Sequence, residues 1–183
     1  MSKEQLVSQL VDVFRLYGYD GASLACIAKE TGLGKTNLYH YFPGGKAEMA
    51  TVALDRVDTW LETKILANLR STAEPSHKIQ IMCIEVSKFF NDGESSCLWA
   101  VLALGRSSHD LFHDRIKSAL RQWIEALAQV LAELGAEPNI AKYRAEDAIL
   151  RIQGALVLTR GLDDPSPFQR LMQSLTEDLS SEI

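Results

Sequence analysis

The chain has 183 residues, 46% of them hydrophobic, and a formal net charge of −5. That length and apolar fraction suffice for a buried core, in one domain or in a small domain plus a larger one. The negative balance argues against a protein that coats nucleic acid with its whole surface. The longest uninterrupted apolar run, Leu98–Leu104, falls far short of the ~20 residues that span a bilayer. Cys26, Cys83 and Cys97 are odd in number and have no CxxC spacing, which fits a reducing cytoplasm better than a disulfide framework. The first ten residues lack the apolar core of a signal peptide. A soluble, cytoplasmic protein with no membrane contact is therefore expected.

No segment alternates with period two, and glycine and proline gather at a few points, so an all-α fold is expected. A first helix is predicted over 3–17, with Leu6, Val7, Leu10, Val13, Phe14 and Tyr17 on its apolar side and Gly18 and Gly21 ending it. Ser23 is positioned to cap a second helix, in which Leu24, Ile27 and Ala28 share a face. Thr31-Gly32-Leu33-Gly34 breaks that helix. Residues 35–42 form a third, with Leu38 and Phe42 turned inward. Pro43-Gly44-Gly45 stops it, because proline cannot donate the next hydrogen bond. A long helix over 46–70 then leads into the rest of the chain. Further helices are predicted over 77–90, within the apolar stretch 97–105, over 107–134, over 140–161 and over 168–179. The one over 107–134 opens on Ser107-Ser108-His109-Asp110, which reads as a capping box with Asp in place of Glu.

Residues 23–46 carry the argument for function. Two short helices meet at a glycine-marked turn, and the second keeps Lys35, Thr36, Asn37, Tyr39, His40 and Tyr41 for its outer faces. A short helix with that many hydrogen-bonding side chains and no acid suits the major groove of DNA. This is the pattern of a helix-turn-helix. Thr36, Asn37 and His40 would face base edges. Lys35, Tyr39 and Lys46 would contact phosphate, Lys46 helped by the positive N-terminal end of its own helix. Residues 1–50 hold five basic and five acidic side chains, so the remaining 133 residues carry the whole −5.

The same stretch resembles the DNA-binding domain of TetR/AcrR-type transcriptional regulators. Ser23, Ile27-Ala28, Gly32-Leu33, Leu38-Tyr39, Tyr41-Phe42 and Lys46 fall in register with that family's motif. The wording FPGGK, one glycine longer than the commoner form, and a cysteine after a glycine-containing loop, Gly93 to Cys97, are similar to the LmrA/YxaF-like branch. The resemblance implies DNA contacts from Lys35, Thr36, Asn37, Tyr39, His40 and Lys46, and a phosphate contact from Ser23. Three positions depart from the pattern. Gly34 stands where a serine usually caps the recognition helix, Cys26 replaces an acid, and the N-terminal arm offers only Lys3.

Other motifs are weaker. Gly34-Lys35-Thr36 lacks the earlier glycine and the preceding strand of a P-loop, since Lys29 occupies the required position. His109 and His113 have the i, i+4 spacing of a zinc-protease helix, yet Asp110 replaces the glutamate base and no third ligand is evident. An exposed, acid-capped helix start is the preferred reading, with a metalloenzyme as a remote rival. Cys97 could sense redox state or electrophiles, but its nearest charge in sequence, Glu94, disfavours a thiolate. No metal, cofactor or catalytic residue is expected.

Aromatic and soft side chains recur in the second part. The family resemblance implies an inducer pocket there, for which Phe89, Cys97, Trp99, Phe112, Trp123 and Gln153 are the candidates. Gln153 is included as a polar residue on an otherwise apolar helix. Small residues in 145–161 would let two helices approach closely. The resemblance implies that the last two long helices build a four-helix dimer interface, here through Ala148, Ile152, Ala155, Leu156, Phe168 and Leu171. The expectation is thus a helix-turn-helix DNA-binding domain over 1–46 and a helical effector-binding and dimerisation domain over 47–183. Its partners would be a palindromic double-stranded DNA operator, a small, largely apolar effector and a second copy of the chain. The expected activity is repression.

Overall fold

The computed structural model describes residues 2–180, and those residues contain helices but no strand. In chain order they are α1 (Lys3–Gly21), α2 (Leu24–Thr31), α3 (Lys35–Tyr41), α4 (Gly45–Trp60), a π-helical turn (Leu61–Leu66), α5 (Ala67–Leu69) and α6 (Pro75–Phe89). A 3-10 turn (Asn91–Gly93), α7 (Leu98–Leu104), α8 (Arg106–Glu133), α9 (Pro138–Leu162) and α10 (Ser166–Ser180) complete the chain. The all-α expectation holds. The chain forms two compact units, residues 2–59 with Leu98–Ile116, and Trp60–Cys97 with residues 117–180.

In the first unit, α1 opens on a capping box in which the Ser2 hydroxyl accepts from the Gln5 N–H at 3.2 Å and the Gln5 side chain accepts from the Ser2 N–H at 2.8 Å. Leu6, Leu10, Val11, Val13 and Phe14 are buried. Tyr17 is not: it is exposed, and its hydroxyl donates to Glu30 at 3.0 Å. α1 packs on α2 and also on α7, so its buried stripe takes in Val11 and leaves Tyr17 outside. Gly18, at φ 65°, breaks the regular helix where the glycine pattern placed its end.

The first unit is larger than residues 1–46, because α4 is held by elements from much later in the chain. The Trp99 indole donates to Asp58 at 3.1 Å. The Arg115 guanidinium donates to Asp58 at 2.5 Å and to Asp55 at 2.6 Å. Both aspartates lie one turn apart on α4, which ties its second half to α7 and the start of α8. The expected capping box at 107–110 does not form. α8 begins earlier, at Arg106, and the buried Ser108 hydroxyl donates back to the Leu102 carbonyl at 2.6 Å.

In the second unit, Trp60 stacks on Phe89 with ring centroids 3.9 Å apart and meets Trp123 edge-on at 5.9 Å. The Trp123 indole donates to the Met82 sulfur at 3.4 Å. Lys78 is buried, with its ammonium 2.7 Å from Glu133, so this charge enters the interior already paired. Gly93 sits at φ +103°, and a Cβ there would fall 2.8 Å from the Phe168 Cβ. The turn can therefore press onto Phe168 only with glycine at this position. α9 and α10 pack on each other, joined at the rim by Arg151 and Asp178 at 2.6 Å.

Candidate nucleic-acid interface

The Ser23 hydroxyl caps α2 by accepting from the Cys26 N–H at 3.1 Å. Gly32 closes the helix in the left-handed region, at φ 68° and ψ 12°. α3 then starts from Gly34, which offers no side-chain cap. Its seven residues make a marginal helix in isolation, so tertiary anchoring has to hold it. Leu38 and Phe42, both fully buried, supply that anchor, with Ile27 buried in α2. Lys35, Thr36, Asn37, Tyr39 and His40 are all exposed. Tyr41 is half-buried, edge-on to His40 at 6.0 Å. The outer side of α3 is thus a row of donors and acceptors without a carboxylate.

Beside it lies a concavity of about 470 Å³ lined by Ser23, Leu24, Tyr39, Pro43, Gly44, Gly45 and Lys46. It brings together three of the residues expected at phosphate, from the start of α2, from α3 and from the start of α4. Gly45 turns the chain at φ 66°, a conformation that favours glycine, and lies against the Tyr39 ring. Two details add to the sequence expectation. The Lys46 ammonium donates to the Tyr19 carbonyl at 3.0 Å and lies 4.3 Å from the Tyr19 ring centroid, so it is already engaged. Glu48, which nothing in the sequence singled out, accepts from the Gly44 N–H at 2.7 Å and places an acid at the N-terminus of α4. Its position three residues past Gly45 was the only available signal.

Residues 6–52 match the family model of bacterial regulatory proteins of the tetR family, and residues 75–174 match that of the C-terminal domain of LmrA/YxaF-like transcriptional regulators. The chain belongs to the TetR family, in its LmrA/YxaF-like branch. This TetR-family regulator is similar to the HTH-type transcriptional regulator LmrA of Bacillus subtilis (strain 168), at 25% identity over 96% of this chain and 95% of that protein. RutR of Escherichia coli (strain K12) is 37% identical, but over only 32% of this chain and 28% of its own length. Among solved structures, a TetR transcriptional regulator from Legionella pneumophila superposes with a TM-score of 0.78 at 19% identity, covering 97% of this chain and 96% of that one. A cysteine mutant of the TetR-family regulator CifR, complexed with 26bp double-strand operator DNA, superposes with a TM-score of 0.76 at 18% identity, over 97% and 96% of the two chains. The TetR-family chain is a DNA-binding transcriptional regulator, and proteins of this kind are not enzymes.

The residues expected to line an effector pocket do not share one compact unit. Trp99 and Phe112 belong to the first, where Trp99 is spoken for by Asp58 and Phe112 meets Tyr19 edge-on at 5.9 Å. Phe89, Cys97, Trp123 and Gln153 belong to the second. There Phe89 and Trp123 join the Trp60 cluster, and Cys97 is buried. Gln153 differs from the rest: both atoms of its amide are buried and have no hydrogen-bond partner. A groove of about 400 Å³ that no sequence motif marks lies between α6 and α10, with Cys83, Ile84 and Met172 among its lining residues. Burial pushes the Cys83 thiol up, against the opposing hydrogen bond with Thr176.

Of the residues expected at the dimer interface, Ala148, Ile152, Ala155, Leu156 and Phe168 are at most 7% exposed within the chain, and Leu171 is half-buried. The small residues of α9 serve packing inside the subunit. Its opposite side carries the exposed apolar stripe: Tyr143, Leu150 and Val157 are 70%, 69% and 68% exposed. Seven-residue steps keep these three close to one line along the helix. Gly154 and Gly161 lie on the same open side, where an added Cβ would meet nothing within 4 Å. Among the described residues, no cluster of three or more His, Cys, Asp or Glu could hold a metal, and no helix is long and apolar enough to cross a membrane.

Proposed function

We propose that this TetR-family regulator is a cytoplasmic, nucleoid-associated repressor that binds a palindromic operator as a homodimer and is released by a small, largely apolar effector. The observation that carries the DNA contact is the acid-free outer side of α3, with Leu38 and Phe42 fully buried beneath it. Thr36, Asn37 and His40 read base edges. Lys35, Tyr39 and Ser23 hold phosphates, and Lys46 sets the position of the α4 start while adding positive charge. Residues 1–46 do the reading, and residues 47–183 bind effector and dimerise.

The exposed stripe Tyr143, Leu150 and Val157 on α9 supports self-association, because a monomer rarely leaves so regular an apolar line open. A second copy would cover it about a two-fold axis. The two recognition helices would then enter major grooves about one helical turn, roughly 34 Å, apart or a multiple of that. The orphaned Gln153 amide supports an effector site in the second unit, since a buried amide without partners costs about 1–3 kcal/mol that a ligand hydrogen bond would recover. The effector acts only through its differential affinity for the operator-binding and released forms.

Selection of bound duplexes from a random library tests this reading. The wild-type chain should enrich a palindrome, and a Thr36→Ala/Tyr39→Ala chain should enrich nothing. A screen for small molecules that free the selected duplex then identifies the effector, and Gln153→Leu should weaken the response to it. Enrichment of the same duplex by both chains would reject the contact assignment.

A further inference from the structure

We propose that His109 and His113 form a surface clamp for a borderline transition-metal dication, distinct from the DNA-reading residues. Both lie on the exposed side of α8 near its start, four residues apart. In an α-helix that spacing places two side chains over one another. Here the imidazoles lie face to face, with ring centroids 4.3 Å apart and planes 25° from parallel. Two bonds of about 2 Å at a metal require nitrogens about 3 Å apart with both ring planes passing through the ion, so the two exposed rings turn out of their stack to converge on it. Neutral imidazole suits Cu²⁺, Ni²⁺ and Zn²⁺.

The neighbouring charges balance, two acids against two bases. Asp110 Oδ1 is 3.8 Å from His109 Nδ1, beyond hydrogen-bond distance, and with its side chain 89% exposed it adds negative charge beside the pair. Asp114 follows His113 directly, while Arg106 and Lys117 bracket the segment at a turn's distance. With no cluster of three or more candidate ligands among the described residues, the protein supplies two nitrogens and water completes the shell. Such a site is open, binds reversibly and follows the order Cu²⁺ above Ni²⁺ and Zn²⁺.

The test is calorimetric titration of the full chain with Ni²⁺ in a non-chelating buffer, together with a paramagnetic resonance spectrum of the Cu²⁺-loaded protein. The proposal expects one ion per chain, two-nitrogen coordination, and loss of affinity by about tenfold or more on either His109→Asn or His113→Asn. His77→Asn, outside the pair, should change nothing. Both histidines are exposed, so folding of each variant is checked by circular dichroism and is expected to match wild type. Affinity unchanged in His113→Asn, one-nitrogen coordination, or binding that follows His77 instead would overturn the proposal.

Discussion

Lys46 reaches back 27 residues to donate to the Tyr19 carbonyl at 3.0 Å, with its ammonium 4.3 Å from the centre of the Tyr19 ring. The contact joins the start of α4 to the end of α1, beside the concavity that Ser23 and Tyr39 also line. Replacing Lys46 by Met should therefore destabilise the protein by about 1–2 kcal/mol, from one hydrogen bond and one cation–π contact. Denaturant unfolding measures it. An unchanged midpoint alongside weaker operator binding would make Lys46 a phosphate contact alone.

The two sides of α9 make opposite predictions. Leu150→Asp places a charge on the exposed stripe and should yield monomers by light scattering while the melting temperature of the folded subunit stays close to that of wild type. Ile152→Ala, two residues away but fully buried, should instead cost about 2–5 kcal/mol through a cavity. Dimers persisting in Leu150→Asp at micromolar concentration would place the self-association surface elsewhere.

Gly93 and Gly32 separate space from backbone strain. Both have positive φ, but only at Gly93 would a methyl group collide, at 2.8 Å from the Phe168 Cβ. Gly32→Ala should cost about 1 kcal/mol for the left-handed conformation. Gly93→Ala adds overpacking of about 1–3 kcal/mol to that strain. Equal melting temperatures for the two variants would contradict the close approach.

Asp164 predicts a pH effect with a definite sign. Its carboxylate accepts from the Ser166 N–H at 2.9 Å and the Ser166 hydroxyl at 2.7 Å, and these bonds hold its pKa below the usual carboxylate value. A depressed folded pKa contributes stability above the unfolded value and loses it as pH falls through the folded one. Asp164→Asn should thus melt lower than wild type at neutral pH, and the difference should shrink on acidification. A difference that grew in acid would reverse the assignment.

The helices of the DNA-reading region were legible because each boundary there has a local cause: Ser23 caps, Gly32 takes positive φ, Pro43 stops. Leu38 and Phe42, spaced four apart, announced their burial in the same way. What stayed hidden depends on partners distant in sequence. Asp58 looks like an ordinary surface acid until Trp99 and Arg115 arrive from 41 and 57 residues away. The π turn at Leu61–Leu66 leaves the hydrophobic pattern intact, so it had no signature. On α9, apolar residues lie on both sides, and periodicity alone could not tell the inward Ala148, Ile152 and Ala155 from the outward Leu150 and Val157. Gln153 was legible as an oddity, a lone amide among apolar neighbours, and its lack of partners became visible only in three dimensions.

The most direct measurement of the central claim is titration of the selected palindrome by fluorescence anisotropy across a range of salt, with wild type and Thr36→Ala/Tyr39→Ala. The account predicts two chains per duplex, affinity falling steeply with salt, and a loss of about 100-fold in the variant, as two contacts of about 1–3 kcal/mol each imply. The variant should keep its dimer mass and melting temperature, because both side chains are exposed. Wild-type affinity in that variant, or a single chain per duplex, would contradict the account.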